Sequence, residues 1–268
     1  MTATVTEFEQ QFLTWRAERA AWARQPLGWL SLTGLHWLGA TEESVEGLPG
    51  RWRAEGDHVY VRASVADELR FDGAELAGEL ELTPGEGKPG LEVRAGDRVI
   101  EVIRRTKQYA LRVHDPAAPA LATFTEIPVY PVDPRWTVLG RFEPYEVARV
   151  VTTGAVVDGL EHHHVATGTV TFELGGLEHR LVVFGNQTIG LHLLFTDGTS
   201  GVTTYGGGRR LDVPRPAPDG TLTLDFNRTV NLPCAFTDYA TCPIAPAQNR
   251  LPLDVEAGER DPGKGIPA

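Results

Sequence analysis

Side chains able to hold an anion come together in the sequence between Tyr205 and Arg210. Three consecutive glycines separate Tyr205 from Arg209 and Arg210. Successive glycine N–H groups can converge on an oxyanion, and guanidinium groups pair with carboxylates and phosphates. Glycines also build bulges and hairpin turns, and surface arginines pair with surface carboxylates. The segment therefore predicts either an anion site or an ordinary turn.

A carboxylate, an amide and a guanidinium follow in the stretch from Leu224 to Arg228. If Phe226 points into a core, Asp225 and Asn227 share the opposite face of one strand. Such a set can orient a polar ligand or position a water, and it can equally fasten the segment that follows. Strict alternation would send Arg228 inward unless the strand ends or bends at Asn227, and a buried guanidinium needs partners.

The segment from Thr229 to Pro252 carries four prolines and shows neither a helical nor a strand period. A long irregular segment in a compact domain is usually a functional lid or a wrapping loop. Its polar side chains predict anchors at Tyr239, Asn249 and Arg250. We therefore expect this segment, the C-terminal wrap, to cover one face of a sheet.

The C-terminal wrap contains both cysteines of the chain, Cys234 and Cys242. Their spacing is not the Cys-x-x-Cys of a redox motif, and the flanking sequence offers no two further zinc ligands. A reducing compartment keeps two such cysteines as thiols. We expect buried thiols that pack the loop, without a structural disulfide.

Three histidines follow one another from His162 to His164. In an extended segment His162 and His164 share one face, a spacing that can chelate a transition metal. Spacing supplies no third ligand, although His179 or His192 could approach across strands. The pattern predicts a solvated histidine run, with no metal and no cofactor.

The elements that must position these side chains are one helix and many short strands. One helical stripe is formed by Phe8, Phe12, Trp15 and Trp22. With capping-box spacing at Thr6 and Glu9, this stripe predicts a helix over residues 6–24. Period-two alternation marks segments 58–63, 108–114, 169–174, 189–195 and 221–226. We therefore predict a mostly β (α+β) fold, in which the helix packs on antiparallel sheets that form a sandwich or partly closed barrel.

Five prolines fall between Asp115 and Pro134, a density that no central strand could absorb. This segment is the one plausible boundary along the chain. We predict a single domain over residues 1–268, with possible β subdomains at 26–115 and 135–260 joined by this proline-rich linker.

Charge and hydropathy exclude several classes of partner. The formal net charge is -11, so a nucleic acid would be repelled unless a local basic patch overrode the field. No apolar run approaches the roughly 20 residues needed to cross a bilayer. From Met1 to Glu18 the chain carries acidic and amide groups where a signal peptide would be apolar. These features predict a cytoplasmic protein without a nucleic-acid or membrane partner, and they leave its oligomeric state open.

Several longer motifs run through the sequence. They are the segments 225–228, 234–237, 239–243 and 249–252, Tyr205-Gly206 with Arg209, the Trp29-Leu30, Gly34-Leu35 and Trp37-Leu38 pairs, and the strand 109–113. Together they resemble the bacterial and archaeal family called domain of unknown function 1684. The resemblance implies no established activity, cofactor or catalytic residue.

Three functional hypotheses are open at this point. The first is a protein that binds a small anionic or hydroxylated molecule. The second is a hydrolase in which Asp225 is the general base and arginines stabilise developing negative charge. The third is a structural clasp that locks the C-terminal wrap. The predicted site residues are Tyr205, Arg209, Asp225, Asn227, Arg228, Tyr239, Asn249 and Arg250.

Overall fold

The computed structural model describes residues 6–186 and 190–263. The described chain divides into two compact units. Residues 22–124 form the small unit, and residues 6–21 with 125–263 form the large unit. The division between positions 124 and 125 falls inside the proline-rich segment.

Helix α1 (Glu7–Ala23) begins at a capping box. The Glu9 N–H donates to Thr6 Oγ1 at 3.2 Å, and the Thr6 N–H donates to the Glu9 carboxylate at 2.7 Å. This reciprocal pair satisfies donors that a helix start leaves open. Within the predicted stripe, Phe12 is the fully buried member. The predicted helix over 6–24 is confirmed.

The small unit holds nine strands and a short helix. They are β1 (Leu32–Trp37), β2 (Arg51–Glu55), β3 (His58–Ala63), β4 (Leu69–Phe71), β5 (Ala74–Glu75), β6 (Gly78–Leu82), β7 (Leu91–Ala95), β8 (Arg98–Arg105), β9 (Gln108–His114) and α2 (Pro119–Thr123). Six strands form an antiparallel sheet in the order β1-β9-β8-β7-β4-β5, and β2, β3 and β6 form a second. Trp52, Ile100 and Leu111 lie in its core. The predicted strands 58–63 and 108–114 are confirmed.

The large unit is built on one seven-stranded antiparallel sheet in the order β15-β10-β11-β12-β13-β14-β16. Its strands are β10 (Thr137–Gly154), β11 (Glu161–Leu174), β12 (Leu177–Asn186), β13 (Gly190–Phe195), β14 (Arg209–Val213), β15 (Thr221–Asp225) and β16 (Val230–Asn231). Alternate residues such as Val170, Phe172 and Leu224 enter its core. Of the predicted strand 189–195, Ile189 lies outside the described residues.

The fold is therefore mostly β with antiparallel sheets, as predicted. No sheet within the described ranges closes into a barrel, because the outer strands of each sheet do not pair with one another. The choice between a sandwich and a partly closed barrel stays as the sequence left it. Among the described helices, none has the length and apolar character needed to span a membrane.

Candidate functional site

Arg209 opens strand β14, and its side chain is completely buried. Its Nη2 donates to Asp197 Oδ2 at 2.7 Å and to the Val255 carbonyl at 2.9 Å. Its Nη1 donates to the carbonyls of Ala257 at 2.6 Å and Glu259 at 3.2 Å. One guanidinium thus joins strand β14 to the stretch of residues 253–260, called here the terminal segment.

The carboxylate that faces Arg209 is also fully engaged. Asp197 Oδ1 accepts hydrogen bonds from the backbone N–H of Thr199 at 2.6 Å and from its hydroxyl. Side chains of both members of the ion pair are 0% exposed. A buried charge pair of this kind is tolerated because further hydrogen bonds satisfy both carboxylate oxygens and both Nη atoms of Arg209. The Arg209 Nε is also buried and has no hydrogen-bond partner among the described residues.

Asn249 fills a gap in the seven-stranded sheet. Strands β12 and β13 pair over Phe184–Asn186 and Gly190–His192 and no further toward Val182. There Asn249 Oδ1 accepts from the Val182 N–H at 2.7 Å, while Nδ2 donates to the carbonyls of Val182 and Leu194, both at 2.9 Å. The side-chain amide replaces ladder bonds that the diverging strands lack, and the predicted anchor at Asn249 is a buried one.

Strand β15 ends at Asp225, and residues Phe226–Arg228 form a 3-10 turn. Asp225 Oδ1 caps this turn by accepting from the Asn227 N–H at 3.1 Å. The prediction that Asp225 and Asn227 share one strand face is therefore wrong, because the strand stops before Phe226. Arg228 consequently faces solvent with 42% of its side chain exposed, and its Nε lies 3.3 Å from Asp225 Oδ2.

Asn227 is buried and holds the chain that leads into β10. Its Nδ2 donates to the Asp133 carbonyl and its Oδ1 accepts from the Asp133 N–H, each at 3.0 Å. A second hydrogen bond from Nδ2 reaches Asp225 Oδ1 at 2.9 Å. These partners use the donors and acceptors through which Asn227 would contact a ligand.

The glycine turn before β14 is not flanked by two guanidinium groups. Arg209 is buried, whereas Arg210 is partly exposed and pairs with Asp212 at 2.7 Å. Neighbouring residues of a strand point to opposite faces, so Arg209 and Arg210 diverge. Tyr205 is half-buried at the start of this turn. The anion seat expected from Tyr205-Gly-Gly-Gly-Arg-Arg is therefore not assembled in the predicted form.

The remaining predicted residues lie nearer the surface. Tyr239 is half-buried and Arg250 is exposed. Three surface grooves of about 500, 560 and 740 Å³ are lined by residues outside the predicted set. The first of them lies between α1 and residues 126–132. The buried members, Arg209, Asn227 and Asn249, are each paired within the chain.

The histidine run is less solvated than predicted. His163 is exposed, but His162 and His164 are half-buried with ring centroids 5.9 Å apart. His162 Nε2 lies 2.6 Å from the Thr241 carbonyl oxygen, so the wrap covers this side of β11. Burial and the two neighbouring histidines lower the pKa of His164 to about 4. In the described part of the chain no cluster of three or more His, Cys, Asp or Glu is arranged for a metal ion.

Sequence reasoning missed Glu259 in the terminal segment. Its carboxylate, 1% exposed, accepts from Arg19 Nε of α1 at 2.8 Å and from the Asn231 N–H at 2.7 Å. Glu259 follows the last strand, where no periodic sequence pattern predicts that a glutamate is buried. Its role is visible only from its tertiary contacts. It forms a second fastening point beside the Arg209 carbonyl contacts.

A buried polar network in the small unit was also missed. Glu101 Oε2 accepts from Arg112 Nη2 at 2.8 Å and lies 3.4 Å from His114 Nε2. His114 Nδ1 is 2.8 Å from Ser31 Oγ. This order resembles a catalytic triad, but Ser31 is 0% exposed and its hydroxyl donates to the Gly28 carbonyl at 2.6 Å. An enclosed, already donating serine is not placed to attack a substrate.

Comparison with known proteins places the chain in a family. The model of a family described as a protein of unknown function, DUF1684, matches residues 122–260, slightly more than half of the chain. The chain belongs to this family. The resemblance predicted from the sequence is confirmed, and all eight predicted site residues fall inside the matched region of this DUF1684 protein.

A solved structure also matches the DUF1684 chain. It is the solution NMR structure of an uncharacterized protein from Haloarcula marismortui, 30% identical, which covers 52% of this chain and 78% of the other with a TM-score of 0.44. No curated protein matches the chain.

Proposed function

We propose that the polar residues centred on Arg209 and Asn249 act as an internal clasp that closes the C-terminal end of the chain onto the seven-stranded sheet. The observation that carries this proposal is the set of partners of Arg209. Its buried guanidinium donates to one carboxylate and to three carbonyls of the terminal segment. Both Nη atoms are thus engaged within the chain, and the one donor left over, Nε, is buried, so no part of the guanidinium is presented to a ligand in solution.

Two further contacts support the clasp. Asn249 joins the wrap to β12 and β13, and the wrap backbone continues the attachment, with the Leu251 N–H donating to the Thr196 carbonyl at 2.8 Å. Glu259 joins the terminal segment to α1 through Arg19. Asn249 thus holds the wrap, whereas Arg209 and Arg19 both hold the terminal segment and meet at Glu259.

The test compares Arg209→Ala with Arg210→Ala, a neighbouring arginine that faces the opposite side. Without Arg209, the buried Asp197 carboxylate and three carbonyls lose their partner, and removing one member of a buried ion pair costs about 3 to 5 kcal/mol. Hydrogen exchange followed by mass spectrometry should show that Arg209→Ala increases the exchange rate, relative to wild type, more in peptides covering residues 253–260 than in peptides from β10 and β11. Arg210→Ala should leave both sets unchanged within about 0.5 kcal/mol.

The clasp would be contradicted if residues 253–260 of Arg209→Ala were as well protected from hydrogen exchange as those of the wild type, and if the overall stability were unchanged. So would a loss of protection spread evenly over the large unit, since a clasp releases its own segment first. Arg209→Lys is a milder variant than Arg209→Ala. It keeps a positive charge, but its ammonium group cannot donate to several acceptors in the planar geometry of the guanidinium.

Binding of a small anionic molecule stays a second candidate, and one observation favours a place for it. The Arg228 side chain is 42% exposed beside Asp225, so an anion in solution can reach its guanidinium. A ligand bound there would increase the free energy of unfolding, and this increase would grow as the ligand concentration rises above Kd. Thermal melts with phosphate or citrate, repeated on Arg228→Ala, test this. Asp225, by contrast, accepts from Thr137 and Asn227, which suits a cap better than a general base.

We also infer a location in the bacterial cytoplasm. Its support is compositional, since two cysteines are too few for the disulfide framework typical of secreted proteins. Fractionation of cells that express the tagged chain would test it, and recovery in a periplasmic or secreted fraction would contradict it.

A further inference from the structure

Cys234 and Cys242 face each other across the first loop of the C-terminal wrap. The Cys234 N–H donates to Cys242 Sγ at 3.3 Å, and the Cys242 N–H donates to Cys234 Sγ at 3.1 Å. Each sulfur therefore lies one hydrogen bond from the backbone of the other cysteine. This reciprocal arrangement brings the two Cα atoms near the distance of about 4.4 to 6.8 Å that a disulfide spans.

The surroundings of the sulfurs act on their ionisation in both directions. Backbone N–H donors favour a thiolate, the nucleophilic form of cysteine. Burial opposes it, since Cys234 is 2% and Cys242 8% exposed. Burial, and then Cys234 and Cys242, raise the pKa of Tyr205. The pair is thus preorganised but shielded, so its thiols should react more slowly than exposed ones.

We propose that Cys234 and Cys242 form a reversible oxidation site whose oxidant is a hydroperoxide. The more exposed Cys242, as the thiolate, attacks one peroxide oxygen, the O–O bond breaks, and a sulfenic acid and one water result. Cys234 then attacks the Cys242 sulfur, the S–S bond forms, and the sulfenic oxygen leaves as a second water. Overall, two thiols and hydrogen peroxide give a disulfide and two waters, with two electrons passing from sulfur to peroxide.

The consequence of this bond follows from what the loop touches. The Cys242 carbonyl accepts from the Val156 N–H at 3.0 Å, and the preceding Thr241 carbonyl contacts His162. One end of the loop is therefore docked on the hairpin of β10 and β11. A disulfide would fasten the other end, at Cys234, to the docked one and restrict the loop in the unfolded chain. Oxidation should stabilise the large unit, and a dithiol reductant should reverse the gain.

The test uses the purified full chain treated with hydrogen peroxide, then alkylated under denaturing conditions and weighed intact. We expect wild-type protein to lose two hydrogens, to resist alkylation at both cysteines, and to melt at a higher temperature. Dithiothreitol should restore the mass, both alkylation sites and the original melting temperature. Cys234→Ser and Cys242→Ser are matched controls, and neither should show the two-hydrogen loss.

Two results would overturn the proposal. One is a wild-type chain in which both cysteines still alkylate after a prolonged peroxide exposure, far longer than that needed to oxidise exposed protein dithiols fully. The other is oxidation that yields only sulfinic acids or disulfide-linked dimers. The wild-type mass measurement decides between these outcomes even if a serine variant folds poorly.

Discussion

The sharpest stability prediction concerns Asn249, because its side chain stands in for main-chain hydrogen bonds. Asn249→Ala removes the partners of the Val182 N–H, the Val182 carbonyl and the Leu194 carbonyl. A buried polar group left unsatisfied costs about 1 to 3 kcal/mol, whereas a hydrogen bond whose lost partner water can replace contributes only its net value of about 0.5 to 1.5 kcal/mol. The Leu194 contact is buried and both Val182 contacts are partly buried. We therefore expect a loss of about 2 to 6 kcal/mol.

Urea denaturation followed by circular dichroism and tryptophan fluorescence measures this loss, with the transition midpoint read at an unchanged slope. Arg250→Ala is the matched control: it truncates the next residue, which is exposed, and should stay within about 0.5 kcal/mol of wild type. Asn249→Asp should destabilise at least as much as alanine at neutral pH, because a carboxylate cannot donate to the two carbonyls. The reasoning is refuted if Asn249→Ala unfolds at the wild-type midpoint.

Three further outcomes are expected. Burial first, then nearby charged groups, lower the pKa of His192 and of His164 from 6.5 to about 4. The unfolded chain therefore binds more protons than the folded chain in this range, and stability should fall as the pH drops from about 6.5 to about 4. The melting temperature of His192→Gln should depend less on pH across this range. Burial would raise the pKa of Glu101, but the His114 hydrogen bond and the Arg112 charge lower it to about 2, so its stabilisation should be lost as the pH falls from about 4.5 to about 2. Glu101→Ala should cost about 3 kcal/mol or more in denaturation at neutral pH, because Arg112 stays buried. Arg228→Ala should change stability by less than about 1 kcal/mol, because an exposed ion pair is screened by water, and a melting temperature lower by many degrees would disprove this.

Local signals in the sequence were enough to locate several elements. The capping box of α1 depends on Thr6 and Glu9, three residues apart, so a short window contains all of its physics. Strand β9 was found because Tyr109, Leu111 and Val113 give one face an apolar period. The sequence did not reveal that the opposite face is buried as well, with Arg112 enclosed there. The prediction for Asn227 failed because alternation does not state where a strand ends. An aspartate that caps the following turn ended β15 there.

The sequence by itself determined that arginine, asparagine and aspartate gather toward the C-terminal end, and that a long irregular segment accompanies them. It did not determine whether these groups bind a ligand or the chain itself, because the same donors suit both. The partners of Arg209 depend on the tertiary structure, which brings carbonyls 46 to 50 residues away onto its guanidinium, and these contacts support the clasp proposed above. Such a contact has no local period, since it depends on where the terminal segment crosses the sheet and on the cost of leaving a buried charge unpaired.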